Sequence, residues 1–496
     1  SHNNVFYMTI PTPTKALPAW DRWFHMTERG STLGTEIRGG LVTFVTMAYI
    51  VVLNPLIIGT AKDVNGNLPG GGTDFGQAIS LVAAATALIA GLLTIFMGVY
   101  GRFPIAIAAG LGLNGFLAFG LAPHMTWAQA FGLVVIEGII VLVLVLTGFR
   151  KAVFHAVPDA LKYSIGAGIG LFIALIGLVD AGIVRGGVPL ITFGVNGELA
   201  GWPIFTFVFG LVLLCVLVAL RVRAGILIGL LVTTVLAIIL ETTQKIGPMK
   251  DATGAVANPT GWGLNVPAVP DTFIGFVNPS PLFKLDAFGA FSAVGALAAG
   301  LAVFSLLLSD FFDTLGTVTG LAAEADLMTA EGDVEHLDAI LVVDSVAAIA
   351  GGLGGTSSNT AYIESASGIA DGARTGIASL VTGGLFLLAM FIAPLTKIVP
   401  YEAAAPALVI VGFLMMTQIR KIPFDDYSIA IPSFLTVILM PFTYSITNGI
   451  GAGLVSYVII KIAQRQTKAI SPLLWVIFAA FVIYFGIHPL KELFNV

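Results

Sequence analysis

Long apolar runs, each closed by polar or glycine- and proline-rich breaks, dominate the chain. Runs suited to cross a bilayer fall at about 39–59, 78–99, 104–120, 127–148, 159–180, 203–221 and 223–241, because roughly 20 apolar residues span the hydrocarbon core as a helix. A stretch at 242–285, punctuated by Pro248, Pro259, Pro267 and Pro270, is too polar and too interrupted to cross. A second series follows at about 297–321, 337–354, 358–371, 374–394, 402–418, 427–441 and 445–461. One apolar run, 471–487, is left over; it reads either as a fifteenth crossing or as a helix packed at the interface. Seven crossings, a long loop and seven more place the two halves in opposite orientations, the inverted-repeat plan of secondary transporters.

Composition agrees with this pattern. The chain has 496 residues, of which 57% are hydrophobic and 10% charged, against about 25% charged in soluble proteins. A soluble enzyme, a nucleic-acid binder and a disordered chain are all excluded by that shortage. The net charge of −5 supplies no basic field for nucleic acid. The lone cysteine, Cys215, lies in an apolar run and can build neither a disulfide framework nor a thiolate metal site. Residues 1–7 read as tag remnant with Met8 as a native start. The polar segment to residue 36 has no signal-like apolar core, so membrane entry is expected from the first spanning helix.

Lys and Arg placement gives an orientation. Arg22, Arg29 and Arg38 precede the first run, and Arg102, Arg150, Lys151, Arg221, Arg223, Arg420 and Lys421 fall in loops of the same parity. Lys461, Arg465 and Lys468 join them if the last two runs of the second series form a hairpin. The N-terminus and these loops are therefore expected in the cytoplasm. The loop 324–338 disagrees, being acidic without Lys or Arg.

The third run of each half is irregular. The first reads Phe103-Pro-Ile-Ala-Ile-Ala-Ala-Gly-Leu-Gly-Leu-Asn114-Gly115, the second Gly351-Gly-Leu-Gly-Gly355-Thr-Ser-Ser-Asn359-Thr-Ala-Tyr-Ile-Glu364-Ser365. Both begin with sequence suited to a short strand and continue as helix, and both are too short to cross as one helix. Interrupted segments at matching places in two halves point to a binding site at the bilayer midplane. Two half-helices are expected, their N-termini meeting near the centre with unpaired N–H groups towards a substrate.

Intramembrane polar residues gather at the same places. Glu364 stands near the start of the second half-helix and Asn114 at the related place in the first. In the eighth run Asp310, Asp313, Thr314 and Thr317 share a helical face by their spacing. A carboxylate in mid-membrane costs about 2.5–3.5 kcal/mol even on insertion scales, so it faces a cavity or a partner. Asn114 reads equally as a half-helix cap or a ligand contact, and Asp313 as a packing carboxylate or a working one. Thr356, Ser357, Ser358 and Asn359 read as residues that satisfy backbone. Phe103, Phe116, Phe311 and Phe312 read mostly as core or lipid-facing, with Phe311 and Phe116 as candidates to stack on a ligand. His124 and His155 lie at run ends. No metal-ligand spacing and no phosphate-binding loop is present, so no cofactor is expected.

A cavity with two or three carboxylates suits a cation, or a flat neutral molecule rich in N–H donors. A carboxylate accepts two adjacent N–H groups in a charge-assisted pair, and the amide and amino edge of a purine offers that geometry. Burial disfavours the charged form of a carboxylate, so such a group can gain and lose a proton as the site faces either side. A proton is then the expected coupling ion.

The runs Ser309-Asp310-Phe-Phe-Asp313-Thr-Leu-Gly-Thr317, Ala361-Tyr-Ile-Glu364-Ser-Ala-Ser-Gly368 and Gly372-Ala-Arg-Thr-Gly376, with the opening helix 38–55, resemble the AzgA-type branch of the nucleobase–cation symporter 2 superfamily. The resemblance covers residues 35–490. It implies an all-α polytopic UraA-like fold of seven plus seven segments, with short strands in segments 3 and 10. It implies a core domain from 38–148 and 297–394, a gate domain from 149–241 and 395–496, an N-terminal segment 1–37 and an extracytoplasmic loop 242–296. It further implies proton-coupled import of hypoxanthine, guanine or adenine by an elevator-like movement of core against gate, in a chain that forms a homodimer. By the same resemblance Asp310, Glu364 and Asn114, with Ser365 beside them, bind the base, and Asp313 and Asp310 serve proton coupling. Relatives often read Ala-Pro-Gly-Met-Gly-Leu-Asn where this chain has Ala108-Ala-Gly-Leu-Gly-Leu-Asn114, a change that bears on pocket shape and purine preference. The rival class is an anion carrier on the same fold, which the carboxylates oppose by repulsion. A channel or a membrane enzyme is the second rival; no nucleophile–base pair is evident for the latter.

Overall fold

The computed structural model describes residues 16–494, so the tag-like residues and the Met8 start lie outside it. The chain is mostly helical. Ten helices among the described residues are long and apolar enough to cross a membrane, or eleven if the bent pair at 472–494 is one span.

In the first half, α1 (Leu33–Met47) and α2 (Ile50–Ile58) form one interrupted span, followed by α3 (Phe75–Phe96), β1 (Ile107–Ala109), the short helix α4 (Leu111–Gly115) and α5 (Trp127–Thr147). Then come α6 (Asp159–Asp180), a hairpin of β2 (Val184–Gly186) and β3 (Ile191–Phe193), α7 (Trp202–Ala219) and α8 (Gly225–Gln244). The second half contains α9 (Ala296–Glu324), α10 (Leu337–Leu353), β4 (Asn359–Ala361), α11 (Ser365–Ala370) and α12 (Gly376–Ala389). It continues with α13 (Tyr401–Met416), α14 (Tyr427–Thr443), α15 (Ile446–Ala463), α16 (Pro472–Phe485) and α17 (Ile487–Phe494).

Local chemistry places the ends. Thr126 and Gln129 form a reciprocal capping box at the start of α5, and Gly148 closes that helix with φ 78°. Asp74 and Ser445 cap α3 and α15 by accepting backbone N–H groups. The difference between fourteen apolar runs and ten spanning helices has a physical origin. The third runs of each half are strand plus short helix, and α10 and α14 have 17 residues each, about 25 Å at 1.5 Å per residue. The leftover run becomes α16, 14 residues long, bent by 69° into α17.

The helices pack in two groups. In one, α5 lies against α10 and α9, while α3 and α1 lie against α12. In the other, α6 packs on α13 and α14, α7 on α8 and α13, and α14 on α15. These pairings map onto one another when the two series of seven are exchanged: α5 with α10 becomes α12 with α3, and α6 with α14 becomes α13 with α7. Glycine sets the closest approach. A Cβ on Gly412 of α13 would stand 2.4 Å from the carbonyl oxygen of Gly170 in α6, so neither position has room for a side chain.

Candidate functional site

The two interrupted segments pair with each other. β1 and β4 run antiparallel with Ile107 opposite Ala361, Ala108 opposite Thr360 and Ala109 opposite Asn359. The ladder extends on both ends: Gly110 N–H donates to Ser358 O (3.0 Å) and Tyr362 N–H to Ala106 O (2.9 Å). All six strand residues are buried, and mutual pairing is what lets non-helical backbone persist at this depth. The half-helices α4 and α11 start from opposite ends of the strand pair. Their N-termini flank the short strand pair, one at each end, and the helices leave it in opposite directions.

Helix α9 lies against β4 and presents two polar side chains to it. Ser358 Oγ donates to Asp310 Oδ2 (3.0 Å), and the hydroxyls of Thr314 and Thr360 are 2.8 Å apart. Asp310 is 1% exposed. Thr314 Oγ1 also donates to Asp344 of α10, at 3.1 Å from each carboxylate oxygen. Glu137 of α5, fully buried, faces Asp310.

Glu364 occupies the N-cap position of α11 and is half-buried. The hydroxyl of Tyr49, which sits in the break between α1 and α2, donates to Glu364 Oε1. The neighbouring Ser365 Oγ accepts from Ala106 N–H (3.0 Å) and thereby ties α11 to the first segment. Asn114 is fully buried in α4; its Nδ2 donates to Asn54 Oδ1 (2.8 Å), and Asn54 in turn donates to Thr86 Oγ1 (2.8 Å) and Thr356 O (3.2 Å). Phe116 and Phe311 are each 1% exposed and packed in the apolar core, so neither ring offers a free face in this conformation.

The polar face read from the spacing in α9 divides. Asp310 and Thr314 are buried against the strands, whereas Asp313 is exposed and Thr317 half-buried. A Cβ added at Gly316 or Gly320 would meet nothing within 4 Å. Asp313, Gly316, Thr317 and Gly320 thus share one open side of the helix, and an ionisable side chain there is expected to face a crevice or a partner and not lipid. This side runs towards the end of α9 at Glu324, where the acidic loop begins. That loop lies among basic residues: Arg29 is 3.8 Å from Glu335, and Arg150 is 3.3 Å from Asp338. Its acidity therefore does not remove it from the side that carries the Arg-rich loops.

Four polar residues of the site, Glu137, Asp344, Tyr49 and Asn54, were not singled out by motif. Glu137 and Asp344 nonetheless carry the signal that marks Asp310, a carboxylate in the middle of an apolar run. Among the described residues, no ion pair reaches Glu137, Asp310, Asp313, Asp344 or Glu364.

The chain is similar to known proteins in sequence and in fold. The sequence signature described as Permease family matches residues 34–452. The guanine/hypoxanthine permease PbuG of Bacillus subtilis is 37% identical over 93% of this chain and 98% of its own length. The adenine permease AdeP of Escherichia coli is 33% identical over 95% of this chain and 97% of its own length. Among solved structures, the transmembrane domain of the cyanobacterial bicarbonate transporter BicA is similar with a TM-score of 0.55, covering 85% of this chain and 97% of that one at 15% identity; this likeness is one of fold.

Proposed function

The chain belongs to this Permease family, one of membrane transporters and not enzymes, and from that premise we propose that it imports purine nucleobases by proton symport. The observation that carries the reading is the placement of Glu364, half-buried, and Asp310, buried, beside one strand pair at the head of a polar crevice. Glu364 accepts the N–H edge of the base, Asp310 holds the opposite side through the Ser358 arm, and Asn114 and Ser365 shape the floor from the two half-helices. The relatives' names support purines as the class, and both guanine/hypoxanthine and adenine permeases occur among them.

The two helix groups act as a core (38–148 and 297–394) and a gate (149–241 and 395–496) that slide past one another, carrying the base in an elevator-like step. Fourteen segments in two oppositely oriented repeats are consistent with the exchangeable helix pairings. The N-terminus lies in the cytoplasm of a bacterial cell, and the crevice along α9 opens to that side, because its rim carries Arg29, Arg102 and Arg150. A homodimer in the inner membrane is the proposed assembly.

An anion carrier is the competing use of this fold. Unpaired acids at the strand pair oppose it, since an anion there would meet repulsion and no cation. A radiolabelled-purine competition panel in vesicles tests the reading: displacement by guanine, hypoxanthine or adenine supports it, whereas displacement by sulfate with purines inert overturns it. Collapse of accumulation by an uncoupler supports proton coupling, and accumulation unaffected by it refutes that part.

A further inference from the structure

Among the described residues, Glu137 is a buried carboxylate beside the strand pair with neither oxygen in hydrogen-bond geometry with a donor; the hydroxyl of Ser358, which faces it, is given to Asp310. Glu137 is 0% exposed, and both its Oε1 and Oε2 lack a partner, as does Oδ1 of Asp310. The groups facing the pair are Asp344 from α10, Ser358 from the arm before β4, Thr314 from α9 and Thr360 from β4. Ser358 is committed to Asp310 Oδ2, and Thr314 to Asp344 and Thr360. No Lys, Arg or His is among them.

An ionised carboxylate only accepts hydrogen bonds. Two ionised carboxylates facing each other would leave three buried acceptors without donors, and would add like-charge repulsion where water cannot screen it. One proton removes both costs, since a protonated carboxyl becomes the donor its neighbour lacks. We propose that Glu137 and Asp310 share a proton, and that this pair is the proton-carrying element of transport, separate from Glu364, which grips the base. The inference rests on the proton-symport reading above. The route out is on the same helix. Asp313 lies one turn from Asp310 and borders the open crevice, so one proton can pass from the pair to the Asp313 carboxylate and then to water. The pair is left with one more negative charge and is recharged by one proton when the site faces the other side.

The test uses the full chain in lipid vesicles. Infrared spectra of the wild type should show a protonated-carboxyl C=O band that Glu137→Gln removes and Glu137→Asp restores in shifted form. In parallel, the ratio of gradient-driven accumulation to counterflow of labelled hypoxanthine should fall in Glu137→Gln by roughly 5–150-fold, the usual range of a coupling between two bound species. A band unchanged in Glu137→Gln, or an accumulation-to-counterflow ratio equal to wild type, overturns the proposal. Wild-type vesicles without any purine counterflow would refute the purine reading instead, and the infrared band would still judge the shared proton.

Discussion

The acids in the middle of the membrane and the acids at the crevice rim are held in opposite ways. At the rim Asp371, Glu335 and Asp338 each have a cation. Asp371 accepts from Arg38 Nε (2.5 Å) and from Arg223 Nη1 (2.7 Å), Glu335 lies near Arg29 and Asp338 near Arg150. Burial first, and then the charges of Arg102 and Arg29, hold His336 below the ordinary histidine value, so the rim stays cationic without it. In the middle, Glu137, Asp310, Asp344 and Glu364 find hydroxyls, one another or nothing. Charge at the rim joins segments that are distant in sequence. The acids in the middle are left without cations, at the expense of stability; on the function proposed above, that leaves them able to accept a purine edge and to exchange a proton.

If that contrast is right, the largest effect comes from the middle. Glu364→Ala should lower purine uptake by roughly 100-fold or more, because two charge-assisted hydrogen bonds at about 1.5–3 kcal/mol each are lost, and Asp310→Ala should do as much, because it removes both the hold on the Ser358 arm and the partner of Glu137. Both variants should still reach the membrane in normal amounts, as read by surface labelling. High-affinity uptake retained in either would separate that residue from the site. Asp313→Asn comes next: uptake should fall by roughly tenfold while equilibrium purine binding changes less, the split expected of a proton path and not a ligand contact. Equal losses of both would make Asp313 a ligand.

A third test asks whether the first interrupted segment works as scaffold, in contrast to the second. Asn114→Ala leaves Asn54 Oδ1 without its donor inside a fully buried network, at a cost of about 1–3 kcal/mol. Thermal stability in detergent should drop, while the purine affinity of the surviving protein should stay within about threefold of wild type. A larger loss of affinity at unchanged stability would mean that Asn114 touches the base.

The same contrast explains what could be read from the sequence. Apolar runs and their breaks depend on neighbouring residues alone, and α6, with the bounds 159–180 expected from its run, shows how far that goes. Asp310 and Glu364 stood out because each interrupts an apolar segment beside hydroxyls or glycines. Glu137 and Asp344 interrupt theirs as plainly, but their meaning lies in α5 and α10 packing around α9, a contact between segments some 200 residues apart in the chain. Tyr49 and Asn54 look like ordinary members of a span until the break between α1 and α2 turns them towards α11 and α4. The opposite exits of the two half-helices likewise follow from strand pairing, which neither segment encodes alone.

The smallest effect is expected at the rim. Asp371, at the end of α11, bridges Arg38 of the first span and Arg223 of the loop between α7 and α8, so it ties one helix group to the other. The two arginines are 63% and 53% exposed, and exposed pairs of this kind contribute about 0–1 kcal/mol. Asp371→Asn should therefore change the ratio of purine influx to efflux rates by no more than about fivefold, with uptake otherwise intact. Raising the salt concentration should reproduce that change in the wild type and leave the variant indifferent, because the Debye length shortens from about 10 Å at 0.1 M to about 3 Å at 1 M. A loss as deep as that of Glu364→Ala would erase the distinction between rim and middle, and would place Asp371 in the transport step itself. An unchanged ratio in both salt conditions would mean that the bridge fixes local geometry only, and that the two helix groups are held in this state by their apolar contacts.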